Sequence, residues 1–184
     1  MNIDEKIWIT SKIRIQSERR LKLFEMLSHL IFSYYSCMLI IFAVLSLEQS
    51  NINKQYMQIA LSVALFTASL ISYGFKLGET AQEFRECYLS LDELYNSNIS
   101  ENSKITKYAE ILKRYPNHTN YDYIAMIKEA ESIGKIISDS SGNKISITKF
   151  SRFTFFMKGF CVCSLLLAIV AWPIWALFEI FWPS

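Results

Sequence analysis

An all-α membrane protein is the fold class this sequence predicts: a two-span helical hairpin with cytoplasmic helices, then a third C-terminal transmembrane helix. Three observations carry that reading. The 184 residues are 52% apolar and 20% charged, yet the mean hydropathy is only +0.20, so the average conceals a split. Residues 26–47, 57–75 and 159–178 hold no Lys, Arg, Asp or Glu. A water-soluble domain spreads its apolar residues at helical or strand periods; it does not pool them in blocks of about 20, the length a helix needs to cross a bilayer. Finally, five Gly and three Pro exclude collagen-like and low-complexity chains, and the composition is too apolar for disorder. A formal charge of +2 is too weak to argue for nucleic acid, and no direct nucleic-acid binding is expected.

The elements follow in order. Residues 1–25 are charged throughout and lack the apolar h-region and cleavage site of a signal peptide. They read as a basic amphipathic helix, with Ile7, Ile13, Ile15, Leu21 and Phe24 among Lys12, Arg14, Arg19, Arg20 and Lys22. Leading into a span, such a helix is expected on the cytoplasmic leaflet, its five cations at the membrane surface. The alternative is a solvated charged helix that only sets topology.

Residues 26–75 are the transmembrane hairpin, with spans 26–47 and 57–75 around the short loop 48–56. Each span carries a seam at coiled-coil spacing. On the first lie His29, Ser33, Ser36, Ile40 and Ala43; on the second Gln58, Ser62, Leu65, Ser69, Ser72 and Lys76. Small and hydroxyl-bearing residues on one face let helices approach and hydrogen-bond across the interface. The same residues serve packing within one chain or a pore-facing surface between chains. No charge lies deep in a span, so a charged selectivity ring is absent and any pore must be built by oligomerisation. Cys37, Cys161 and Cys163 fall in apolar blocks and read as small packing residues.

Residues 76–152 form a cytoplasmic helical region. A helix continuing out of the second span, Leu77 to Tyr95, places Phe84, Cys87, Leu91 and Leu94 on one stripe. After a polar break at Asn96–Ser103, a second helix runs from Ile105 to Tyr115 and stops at Pro116. Asn117-His118-Thr119-Asn120 supplies capping chemistry for a third, from about Tyr121 to Ser138. Ser138–Asn143 is a loop, and Lys144–Thr148 can form one short extended piece. Residues 153–184 are the C-terminal transmembrane helix, with Trp172, Trp175 and Trp182 as an aromatic belt and Phe153, Phe155, Phe156 and Lys158 at the other interface. Six basic residues in 1–25 and eleven in 76–152, against Lys54 alone in 48–56, put the N-terminus inside and the C-terminus outside.

Two stretches and their spacing then resemble a known family. WITSKIRIQSERRL (Trp8 to Leu21), the closely spaced pair of spans, and YAEILKRYPNHTNYDY (Tyr108 to Tyr123) together are similar to the SLATT family. These are two-transmembrane proteins associated with SMODS nucleotidyltransferases and SLOG domains in prokaryotic conflict systems. The resemblance covers roughly residues 5–140, and Asn117-His118 followed by Asp122 is its most distinctive piece. The third apolar segment lies beyond that two-span core. The resemblance implies a multi-pass effector of the bacterial inner membrane in antiviral defence. Such an effector self-associates to form a pore or perturb the membrane when a partner senses infection, and so causes abortive infection. Implied partners are the lipid bilayer, further copies of the chain, and a nucleotidyltransferase, SLOG-type sensor or reverse transcriptase of the same operon.

No enzyme is expected. HExxH, GxSxG, P-loop and GxGxxG motifs are all missing from the sequence. His118 and Asp122 are two ligands without a third, so no catalytic residue, cofactor or metal is assigned. Asn117, His118 and Asp122 instead cap and brace a turn, which makes them candidate regulatory residues. The competing function is a non-conducting membrane anchor that recruits a soluble defence enzyme; it has no need of small-polar seams in both spans.

Overall fold

The computed structural model describes residues 2–47, 52–135, 137 and 144–181. Parts of the 48–56 loop, the Ser138–Asn143 loop and Trp182 lie outside the described residues. Among the described residues the fold is all-helical: α1 (Ile3–Leu47), α2 (Ile52–Gly74), α3 (Leu77–Asn96), α4 (Glu101–Arg114), α5 (Asn120–Ser132) and α6 (Lys149–Phe181). Among the described residues three stretches, Ile3–Leu45, Gln58–Asn96 and Lys149–Trp175, are long and apolar enough to contain a membrane span. At 1.5 Å per residue the 45-residue α1 extends roughly 65 Å, about twice the hydrocarbon thickness, so it projects well past its span.

The chain divides into two compact units. The polar unit comprises Met1–Leu23 and Leu77–Met157. The segment 1–25, separate in the sequence reading, thus packs largely with the region 76–152. Ile3, Ile7, Thr10, Arg14 and Ser17, spaced by four and three, form a buried stripe on α1. Ile3 and Ile7 join Cys87, Leu91 and Leu94 of α3, with Tyr108 and Ile111 of α4 and Tyr115 just beyond it half-buried around them. Ile13 joins Met126, Ile127 and Ala130 of α5. The α1 stripe therefore lies between two apolar clusters and has no free lipid-facing side there. The predicted α3 stripe is buried, with Ala81 added.

Local chemistry sets the helix ends. Phe75 and Lys76 interrupt the expected continuation of α2 into α3, with Lys76 in the left-handed region at φ 49°. Helix α4 starts earlier than expected, at Glu101, and ends where Tyr115, extended at φ −114° and ψ 154°, precedes Pro116; proline sterics push the residue before it out of the helical region. Helix α5 stops at Ser132, short of Ser138. Gly134, at φ 72°, donates to the Glu131 carbonyl at 3.1 Å and Lys135 to the Ala130 carbonyl at 2.9 Å, the two bonds of a Schellman stop. Lys144–Thr148 contains only an isolated bridge, Ile145 N–H to the Ile137 carbonyl at 2.8 Å.

The membrane unit comprises Phe24–Lys76 and Lys158–Ser184. None of the residues in its most apolar windows is buried within the chain, as expected when lipid is the solvent. Gln58 donates to the Leu39 carbonyl at 3.3 Å and links α2 to α1. The third apolar helix is tied to the first at a proline. Pro173 lies inside α6 and has no N–H for the Ile169 carbonyl four residues back. The Tyr35 hydroxyl donates to that carbonyl at 2.8 Å, and Tyr34 donates to the next one, Val170, at 2.9 Å. A freed backbone acceptor inside a membrane helix is thus satisfied by a neighbouring helix. Cys37, Cys161 and Cys163 are exposed rather than packed.

Candidate functional site

The two stretches that carry the family resemblance meet in the polar unit. The contact begins with Thr10 and Tyr108, whose hydroxyls are 2.8 Å apart. One turn on, Arg14 donates to the Pro116 carbonyl and stacks over Phe84, 5.4 Å from the ring centroid. Next, Ser17 donates to Asp122 Oδ2 at 2.9 Å. Arg20 donates to the same oxygen at 3.1 Å, and its Nε lies 2.9 Å from Oδ1. That Nε and Oδ1 are misaligned for a hydrogen bond, so this second contact is Coulombic. At the edge, Arg19 pairs with Glu129 at 3.0 Å and Gln16 donates to the same carboxylate.

Asp122 is the hub. Its side chain is 1% exposed, and it is held from its own helix as well as from α1. Thr119 caps α5: its hydroxyl accepts from the Asp122 N–H, and Asp122 Oδ2 accepts from the Thr119 N–H at 3.0 Å. This is a capping box with Asp at the third position. One carboxylate therefore completes the capping box of α5 and receives a cation from α1. Removing it leaves Arg20 without its charge partner and the Thr119 N–H without its acceptor, a loss of about 3 kcal/mol or more for a buried pair.

The electrostatics follow from burial. Burial lowers the pKa of the Arg14 guanidinium, opposed by the Cys87 thiol, Tyr108 and Asp122 nearby. Burial likewise pushes the Cys87 thiol up, which makes it a core group and not a reactive one. His118 is held below its ordinary 6.5, first by burial and then by Arg14, with Asp122 opposing. Its Nδ1 is buried without a hydrogen-bond partner.

Of the five cations read as membrane-surface residues, two are corrected. Arg14 is 1% exposed and Arg20 points to Asp122, because both lie where α1 faces the α4–α5 turn. Lys12, Arg19 and Lys22 are exposed; Lys22 pairs with Glu18 at 2.6 Å and Lys12 stands 5.8 Å from the Trp8 ring centroid. Among the candidate turn residues, His118 and Asp122 come together with α1, and Asn117 is exposed.

On the seams, His29, Ser33, Ser36 and Ser62 are exposed, while Ala43, Gln58, Ser69 and Ser72 are half-buried. Ser36, Ser62 and Ser69 each donate to a carbonyl of their own helix, those of Phe32, Gln58 and Phe66. Their hydroxyls are thereby satisfied without crossing to a neighbour. Sequence reasoning missed the partners Thr10, Ser17 and Tyr108, and the Tyr34–Tyr35–Pro173 contact. A proline in an apolar block opposite paired tyrosines was the available signal for the last.

A helical membrane protein whose long first helix carries both a span and half of a buried charge network is the class these observations define. The chain belongs to the SMODS and SLOG-associating 2TM effector domain family 5, whose model matches residues 2–178. That match extends the resemblance beyond residue 140 and takes in most of α6, so the third apolar helix is part of the family domain. Neither the curated proteins nor the solved structures yield a match.

Proposed function

We propose that this membrane protein is an effector of a prokaryotic conflict system, kept silent by the Arg14/Arg20–Asp122 network until a partner or nucleotide signal releases it. The observation that supports this most is the placement of Arg14 and Arg20 on α1, which runs unbroken from Ile3 into the first span. An effector that harms its host needs two states that differ in specific contacts, and a buried charge network is strong when complete and weak when any member leaves. In the released state, copies associate through the exposed apolar helices and their small-residue seams, forming a pore or perturbing the inner membrane. The N-terminus and the network are then cytoplasmic, where a SMODS-type nucleotidyltransferase, a SLOG-type sensor or a reverse transcriptase can reach them.

The test is phage challenge of cells carrying the full operon, with a membrane-potential dye and a blot for protein level. Asn117→Ala combined with Asp122→Ala should insert normally, because insertion depends on the apolar spans. It should depolarise cells before phage arrive. Wild-type timing of depolarisation and wild-type protection in the double mutant contradict the reading.

A further inference from the structure

His118 stands at a point of the network where a proton can act. It sits between Pro116, whose carbonyl takes the Arg14 guanidinium, and Thr119, which caps α5. Its Nδ1 is sealed from solvent and has no hydrogen-bond partner. The charged groups facing the ring are Arg14 on α1 and Asp122 on α5; Cys87 of α3 and Tyr108 of α4 face Arg14.

The acceptor side is largely occupied. Asp122 Oδ2 receives Ser17, Arg20 and both donors of Thr119, and Oδ1, which accepts no hydrogen bond, is held against Arg20 Nε. A proton added to His118 therefore places a second cation beside Arg14, and that cation competes with Arg20 for Asp122. A buried charge without a partner is costly, and the flexible response is for the turn to leave α1.

We propose that His118 makes the network proton-releasable: acidification of the surrounding solution detaches the turn 116–122 from α1. The direction follows from linkage. The folded ring resists its proton more than a free histidine does, so stability is full above the free value of 6.5. It declines as pH falls below that value, because the unfolded or detached state then binds the extra proton. As regulation, this rests on the effector reading: a leaking inner membrane acidifies the cytoplasm, and each protonation frees another copy. Detachment itself does not depend on that reading.

The test uses the full chain in lipid nanodiscs. Amide exchange is followed at pH 7.5 and 5.5, corrected for intrinsic exchange rates. In wild type, protection of the Asp122 and Tyr123 amides, both bonded to the Thr119 carbonyl, should drop at least tenfold at the lower pH, while α3 amides at 84–94 stay constant. His118→Gln should hold its protection at both values. Undiminished wild-type protection, or an equal drop in His118→Gln, overturns the proposal. Should His118→Gln fail to fold, the ring is titrated by NMR in His29→Gln protein. A midpoint at or above 6.5 then overturns it, and one below supports it. Liposome leakage measured in parallel separates the two ideas: acid detachment without leakage leaves the proton release standing and removes the effector role.

Discussion

The two units satisfy the same chemical requirements in opposite ways. The polar unit hides charge inside: Asp122 and Arg14 are each 1% exposed, ringed by apolar clusters that exclude water. The membrane unit hides little among its described residues, and large apolar side chains stand outward, Ile40 at 65% and Leu167 at 71% exposure. Its helices meet through hydroxyl-to-carbonyl and amide-to-carbonyl bonds, Tyr34, Tyr35 and Gln58 each reaching a backbone oxygen. The contrast is one of solvent. In water, burying apolar area drives packing and permits a compensated charge inside. In lipid that drive is missing, so close fit and stray polar bonds hold helices together.

The contrast breaks most visibly at leucine. Leu91, fully buried on α3, should cost about 3 kcal/mol when changed to Ala, through lost transfer energy and the cavity left behind. Leu165 on α6 is 61% exposed, and its change to Ala should stay within about 0.5 kcal/mol. Thermal unfolding in one detergent, followed by circular dichroism, compares the two; similar shifts would mean that α6 has a packed partner on that face.

A smaller effect sharpens the membrane side. Tyr35→Phe should cost about 1 kcal/mol, the usual worth of a hydrogen bond between membrane helices. In a Pro173→Ala background the restored N–H takes the Ile169 carbonyl, and the cost should fall toward zero. A double-mutant cycle reads the coupling. An unchanged Tyr35→Phe cost would detach the tyrosine from the proline.

Much of this architecture is legible in the sequence where it is local. The absence of charge over about 20 residues marks a span by itself. The spacing of Phe84, Cys87, Leu91 and Leu94 fixes the face that α3 buries, and Pro116 fixes where α4 must stop. Asp122 as a bracing residue was visible three positions after Thr119. What stayed hidden is non-local. Arg14 looks like any cation of a basic amphipathic helix until a carbonyl 102 positions away receives it. Periodicity reports which face is apolar; it does not say whether lipid or protein covers that face. The break between α2 and α3 was equally silent, since Lys76 adopts a backbone state that lysine rarely visits.

The central claim is that the α1–Asp122 network holds the protein inactive, and dye release from liposomes tests it most directly. Full-length protein is reconstituted at neutral pH without partners into vesicles containing anionic lipid. Asp122→Asn keeps the shape of the side chain and removes the charge that Arg20 binds. The account predicts that wild-type vesicles retain their dye and that Asp122→Asn vesicles, at equal protein incorporation, lose it at least several times faster. Equal retention by both, or equal leakage from both, contradicts it.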